Sequence, residues 1–472
     1  PMPLPLATLR QTAVFMGGSR PPDVGLGLLT RWCPASLIDA AIETCDTREQ
    51  RVRVLSARSV VYCELARCLF PGEGYEQILD HLLSRDDDIP AWRTDHIPCG
   101  SSLCRARVKI GSRTMEAVFH RVAGPIAEPQ SCPAAFWHQL RLEAFDGTTF
   151  EVADTEENDA AFERPAGSCG PGGYPQVRVV ALVECATHAV LDAVIGGRGQ
   201  GETTLALDLA GAAGPGTLVL ADRNMLGVQL WTAFRDRGAE LLWRLKKTVA
   251  TRPEAVLEDG SWLARVRIDK HTAAALRRAG QRVPGAITVR VIEYTLPGSA
   301  EVYRLATSLL DPATAPAAEL AALYHERWES EGVFAEIKIV QRGPQAVLRS
   351  ARPDGVRQQL WAHLTVHHLI RDLLCHAAAS VNSRLDQRRI SFRRAFRLIR
   401  RSITSHATPR LLDRMLAHAI SRLVGRTNPN RRPRSYPRAV KRRAMTYPTK
   451  KPGPSELRRC RDFAPAIRRR PP

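Results

Sequence analysis

Tyr324, Arg327, Glu331 and Lys338 carry groups that could do chemistry together, if their spacing lets them meet. They lie in a run from Ala317 to Gln341 that has no Gly or Pro except Gly332, so the pattern predicts one long helix. A helix advances about 100° per residue, which sets Arg327 at about −60°, Glu331 at about −20° and Lys338 at about −40° from Tyr324. An aromatic hydroxyl, two cations and a carboxylate then share a narrow stripe. Glu326, Glu329 and Glu336 fall roughly on the opposite side by the same arithmetic. A carboxylate flanked by cations could hold a metal while the cations grip phosphates, as metal-dependent phosphoryl transfer requires. The same spacing also describes a surface helix laced with charge pairs, and helix geometry alone favours that reading.

Phosphodiester chemistry with metals needs carboxylates arriving from separate elements. The best candidates sit where strands are expected to end. Asp146 lies in Phe145-Asp146-Gly147-Thr148-Thr149 on a first strand, and Asp222 closes the apolar run Leu218-Val219-Leu220-Ala221. A charge at the end of a buried strand is costly unless something pairs with it, and a metal is one such partner. Either Asp could instead be a cap or turn residue. Glu151 and Asp154 are rivals to Asp146, but Asp154-Thr155-Glu156 reads as a helix start.

The elements that must position these groups follow from periodicity. Residues 1–25 read as a flexible lead. A helical N-terminal domain follows over 26–140, with one helix over Ser102–Ile110 and another near Met115–Ala123. From Leu142 the pattern turns to strands: Leu142–Ala153, Val177–Glu184 and Ala189–Ile195. A helix from Gly201 through Leu209, a strand over Thr217–Ala221, a helix over Leu226–Arg237 and a strand over Glu240–Leu245 come next. Three strands, helix, strand, helix, strand is the order of a ribonuclease H-like domain, assigned to 141–375. A strand-rich insertion occupies about 247–310, including Ile287–Tyr294 and Val302–Thr307. Residues 376–426 read as a helical region and 427–472 as a basic, disordered tail. The fold class expected is α/β, a mixed sheet with helices on both faces.

The chain has 472 residues, 44% hydrophobic composition and a net charge of +20. A surplus that large points to an anionic polymer or surface as partner. No apolar run is long enough for a membrane span and no secretory signal is apparent, so a cytoplasmic, nucleoid-associated protein is expected, with nucleic acid as the anion. The last 46 residues hold fifteen Lys or Arg against Glu456 and Asp462. Further phosphate contacts are expected from Lys246 and Lys247 and from Ser391–Arg401. As a helix, that segment would share Arg393, Arg397, Arg400 and Arg401 on one face and Phe392, Ala395 and Ile399 on another. A merely solvated face is the competing reading. Cys99 and Cys104 with His96 and His120 come closest to a metal pattern, but the second close pair of a zinc knuckle is missing. Reduced, buried thiols are expected.

Tyr324-x2-Arg327-x3-Glu331-x6-Lys338 resembles the signature of the insertion sequence four family of DDE transposases. Asp146-Gly-Thr-Thr, Asn158 to Pro165, Tyr174-Pro-Gln-Val-Arg, Leu218-Val-Leu-Ala-Asp222-Arg and Leu242-Trp-Arg resemble the same family in the same order. Gly25 to Leu83 resembles its N-terminal domain, and the likeness covers about residues 25 to 375. The resemblance implies a catalytic triad of Asp146, Asp222 and Glu331 binding two Mg2+ ions, with Mn2+ as a substitute. It also implies that Tyr324, Arg327 and Lys338 hold phosphates near the cut. Partners would be double-stranded DNA, both terminal inverted repeats and target, and a second copy of the chain on that DNA. Some members pass through a DNA hairpin, for which Trp262 is a candidate base support or, alternatively, a core aromatic. The chain departs from the pattern at Asn224 and Met225, where a small residue and an aromatic are usual, and at Glu163, where Gly is expected.

Three readings remain: an active transposase, a decayed or domesticated copy that only binds DNA, and another nuclease on the same fold. The acidic triad favours the first, and the Tyr-Arg-Glu-Lys stripe argues against the third.

Overall fold

In the computed structural model, the residues described are 25–49, 55–83, 98–167, 170–268, 270–280, 283, 285–297, 301–343, 347–381, 385–403, 409–429 and 466–468. The lead, His96 and most of the basic tail lie outside them.

Eight strands of five residues or more form the frame: β1 Leu140–Val152, β2 Gln176–Glu184, β3 Val190–Gly197, β4 Thr217–Ala221, β5 Glu240–Arg244, β6 Trp262–Val266, β7 Ile287–Thr295 and β8 Val302–Thr307. Their order across the sheet is β3-β2-β1-β4-β5-β8-β7-β6. β1, β2 and β3 are antiparallel neighbours, while β4 and β5 run parallel to β1. The first five strands thus have the ribonuclease H-like arrangement. The insertion strands continue the same sheet, because β8 pairs antiparallel with β5, β7 with β8 and β6 with β7. A helix, Lys270–Arg278, lies within the insertion that the sequence had suggested only as strands.

Helices cover both faces, which is why the central strands read as apolar runs rather than alternating ones. Val179, Ala181, Val183, Leu218 and Leu220 join one core with helix Pro353–Val381, helix Gly100–Val122 and the helices Ala35–Thr44 and Ala57–Arg67. Val180, Leu182, Val219 and Ala221 join the other, under helices Glu202–Leu209 and Val228–Asp236. Phe145 stacks on Phe234 at 5.3 Å, and Trp231 meets Trp243 edge-on at 5.2 Å. Trp262 is fully buried in that second core, which makes it a packing aromatic here rather than an exposed support for a base.

The two helices expected around 102–123 are present: the helical span Gly100–Val122 is parted in two at Gly111, with φ 68° and ψ 169°. A residue with a Cβ rarely adopts such a backbone. The break frees the Ser112 N–H to donate to Asp354 Oδ1 at 3.0 Å, fastening the span to helix Pro353–Val381.

The single regular helix expected over 317–341 is instead four helical pieces: α over Ala317–Leu323, 3₁₀ over Tyr324–Trp328, α over Glu329–Ala335 and π over Glu336–Gln341. The tight and wide turns depart from 100° in opposite senses, so the stripe of Tyr324, Arg327, Glu331 and Lys338 survives. Its N-terminus is pinned by the insertion: Asp259 Oδ2 accepts from the Ala317 N–H at 2.9 Å and is ion-paired with buried Arg290.

Candidate active site

β1 pairs with β4 only over Arg141–Ala144, and with the short strand Val347–Leu348 only over Glu151–Val152. The intervening edge of β1 is left to the helical stripe. Asp146 sits there in mid-strand, not at a strand end as expected, because β1 runs on to Val152. β4 stops at Ala221, so Asp222 begins the loop at its carboxyl end, the usual site side of parallel strands.

The stripe docks on this notch. The Tyr324 hydroxyl donates to the Ala221 carbonyl at 3.1 Å, fixing the backbone just before Asp222. Arg327 is 4% exposed and reaches Asp146 Oδ2 at 4.0 Å and Glu331 Oε1 at 3.4 Å. Burial works against its charge, yet Tyr324, Asp222, Asp146 and Glu331 together hold it above the usual arginine value. Lys338 donates to Thr148 Oγ1 on β1 and lies 4.9 Å from the Phe150 ring centroid. Burial, then Arg342, pushes its ammonium below the usual lysine value. Burial raises the Asp146 carboxyl to about 6, against the Gly147 N–H and Arg327, which lower it, while Glu331 and Glu202 raise it further. Asp146 and Glu331 thus share one buried guanidinium, which also feels the charge of Asp222, with Asp146 poorly solvated and Glu331 open to solvent.

Known sequences fit this geometry. A family model for the transposase DDE domain matches residues 137–369, and one for the insertion element 4 transposase N-terminal region matches 23–120. Over 337 residues the chain is 30% identical to the transposase InsG for insertion sequence element IS4 of Escherichia coli (strain K12), covering 71% of this chain and 73% of that protein. The chain belongs to the IS4 transposase family. InsZ of the same strain is 27% identical over 146 residues, which span 31% of this chain and 48% of that protein.

In this IS4-family chain the DDE domain implies use of a divalent metal. Among the described residues no three Asp, Glu, His or Cys side chains converge to metal-ligand spacing, since Arg327 stands between Asp146 and Glu331. The donor set nevertheless fits a hard cation: its ligands are carboxylate oxygens, and Asp146 is an under-solvated carboxyl that a cation would relieve. Cys99 and Cys104 are exposed, and His120 faces Asp192 at 3.7 Å; His96, the other residue of that candidate set, lies outside the described residues.

The remaining candidates for phosphate contact, read from the basic residues themselves, lie on other elements. Lys246 and Lys247 are exposed in the loop after β5, which runs parallel to β4, so they lie at the same sheet edge as Asp222. Arg393 and Arg397 are exposed on helix Phe392–Ile403, whose Phe392, Ala395, Phe396 and Ile399 are buried. Arg394 and Arg400 turn elsewhere, to the Arg426 carbonyl at 2.6 Å and to Glu73 at 3.5 Å. Of the departures from the family pattern, Met225 is buried and its N–H donates to the Asp222 carbonyl at 3.0 Å, so it fills the apolar slot beside the loop. Asn224 is exposed. Glu163 has φ 63° and ψ 149°, a backbone region natural only to glycine.

One neighbour was not foreseen from sequence. A Cβ on Gly147 would meet the Glu202 carboxyl carbon at 2.7 Å, so Gly147 makes room for a fourth carboxylate beside Asp146. Glu202 opens a helix 56 positions along the chain, and no spacing rule links it to Asp146.

Proposed function

We propose that this chain binds the terminal inverted repeats of an insertion sequence, cleaves DNA at the element's ends and transfers the 3′ ends to target DNA. Asp146, Asp222 and Glu331 would hold Mg2+, or Mn2+, which when bound activates the attacking oxygen and stabilises the leaving one. The observation that carries this reading is the single buried Arg327 shared by Asp146 and Glu331 at the carboxyl end of β4. Three anions with one cation leave a net negative pocket for metal. Arg327, once its carboxylates are neutralised, is free to turn its fork to a phosphate. Lys338, whose charge burial disfavours, gains from a nearby phosphate, and Tyr324 keeps Asp222 in place through Ala221. Lys246, Lys247, Arg393 and Arg397 would follow the DNA backbone on either side. The active form is taken to be a homodimer on DNA, associated with the nucleoid.

A second reading, a decayed copy that only binds DNA, draws support from Glu163 in a glycine conformation. Strand cleavage of an end-containing duplex with Mg2+ separates the two. Cleavage that vanishes in Glu331→Gln while binding persists supports the transposase; binding without cleavage by either chain supports the second reading.

A further inference from the structure

The far side of the catalytic helix is held by a partly buried charge network that leads to the arginine helix. Arg388 lies in the 3₁₀ turn Gln387–Arg389, four residues before helix Phe392–Ile403 begins. Its guanidinium meets Glu326 at 2.6 Å and Glu329 at 4.0 Å, and Asp386 accepts from both its backbone and its side chain. Glu329 in turn pairs with His188 Nε2 at 2.6 Å. Arg371 donates to His188 Nδ1 at 2.6 Å, so that nitrogen is the acceptor and Nε2 carries the proton given to Glu329. Arg371 and His367 both donate to Glu336, Arg371 Nε at 3.0 Å and His367 Nε2 at 2.9 Å. Phe392, the first residue of the arginine helix, stacks on His367 at 5.1 Å and lies 5.3 Å from the Arg371 guanidinium.

All three rear carboxylates, Glu326, Glu329 and Glu336, are therefore tied to the segment 386–392 directly or through one residue. The fit on that side is close: a Cβ on Gly332, next to Glu331, would meet His188 Cε1 at 2.9 Å. Arg388, Glu326 and Glu329 are partly buried, and separating charges in such a setting is disfavoured, so displacement of the segment is resisted by the helix and the reverse. The other face of the arginine helix exposes Arg393 and Arg397.

We propose that Arg388 and Phe392 are positioning residues that couple DNA held by the Arg393–Arg397 face to the placement of Glu331. This rests on Glu331 being catalytic and on that face binding DNA. DNA pulling on the arginine helix is transmitted through Arg388 to Glu326 and Glu329, and through Phe392 to the residues that hold Glu336. Neither positioning residue need touch DNA.

The test compares the full chain with Arg388→Ala, Arg388→Lys and Phe392→Leu on a duplex carrying a terminal repeat. At saturating duplex, Arg388→Ala should cleave about 10- to 100-fold more slowly in a single turnover while its Kd changes by less than about threefold. Arg388→Lys should recover part of the rate. In a Glu326→Gln, Glu329→Gln background, Arg388→Ala should cost less than about twofold more, because the partners are already gone. Hydrogen exchange of residues 329–341 should slow on adding duplex to the unsubstituted chain, and slow less in Phe392→Leu and the Arg388 variants. Equal single-turnover rates, additive losses or identical exchange responses would overturn the coupling. If the unsubstituted chain does not cleave, the catalytic reading fails, and the exchange response alone still decides the coupling.

Discussion

On the sheet side of the catalytic helix, one guanidinium serves two carboxylates at 4.0 and 3.4 Å, and a half-buried lysine makes its bond to a threonine hydroxyl. On the far side, Glu336 alone receives Arg371 and His367, and Glu329 and Glu326 are met by His188 and Arg388 at 2.6 Å. The same helix carries both sets. The rear carboxylates are matched with donors, and Glu336 is held well below the usual carboxylate range by Arg371, His188 and His367 against its burial. At the front, burial instead raises Asp146. A saturated network resists displacement; an undersupplied one is ready to exchange partners. The helix is fixed from behind so that its front can change company.

That contrast can be broken at either end. The largest effect is expected from Glu331→Gln, which should lower strand cleavage by at least about 1000-fold while shifting stability by no more than about 0.5 kcal/mol. A large loss of stability in that variant would mean that the front also holds the fold together. Arg371→Ala should do the reverse, lowering unfolding free energy by about 3–5 kcal/mol because Glu336 is left buried without its main cation. Denaturant unfolding checks this, and a wild-type midpoint would remove the clamp.

Helix Pro353–Val381, which supplies Arg371 and His367 to the rear, should also be acid-sensitive. Burial lowers His363 to about 3 and His367 to about 4, the latter against Glu336. Both imidazoles are neutral in the fold and take up protons on unfolding. Their contribution is complete above the unfolded value near 6.5 and is lost as pH falls toward 4. Melting between pH 7 and 5 should show a loss of about 1–2 kcal/mol per histidine, and His363→Gln should flatten that slope. A flat profile would show that water reaches these rings. At the DNA-facing surface, removing Arg393 and Arg397 together should reduce the log–log salt slope of duplex binding by about 1.8 if both touch phosphate. An unchanged slope takes that face out of the interface. The smallest effect is Glu163→Gly, which should stabilise the chain by about 1 kcal/mol by relieving the φ 63° backbone. No gain in melting temperature would mean that the carboxylate's contacts beside Gly199 compensate.

Much of this was readable beforehand where local pattern decides structure. The central strands are apolar on both faces, so their runs stood out, and the order of the first five followed. The stripe of Tyr324, Arg327, Glu331 and Lys338 was visible from spacing, as was the opposing set Glu326, Glu329 and Glu336. The 3₁₀ and π turns were not, because side-chain periodicity cannot register a change in which carbonyl each N–H finds. The strand over Leu142–Ala153 was legible to within two residues at its start and one at its end, but Asp146 lies in its middle rather than at an end, because the chain stays extended through Gly147. The partners His188, Arg371 and Arg388 lie far from the helix in sequence, and nothing local announces such pairings. Trp262 carried two readings, and burial in the second core decided for packing.

The shared hydrogen-bond ladder from β5 through β8, β7 and β6 has a bearing on engineering. An insertion folded as a separate lobe could be trimmed or exchanged as a cassette. Here its removal would bare the edge of β5, strip cover from Trp243 and take away Asp259, which caps the helix that carries Glu331. A replacement segment would have to supply an antiparallel strand in register with Leu242–Arg244 and a carboxylate at the Ala317 N–H. Chimaeras cut at residues 246 and 308 between relatives should therefore fail more often than those cut in the loop before β1.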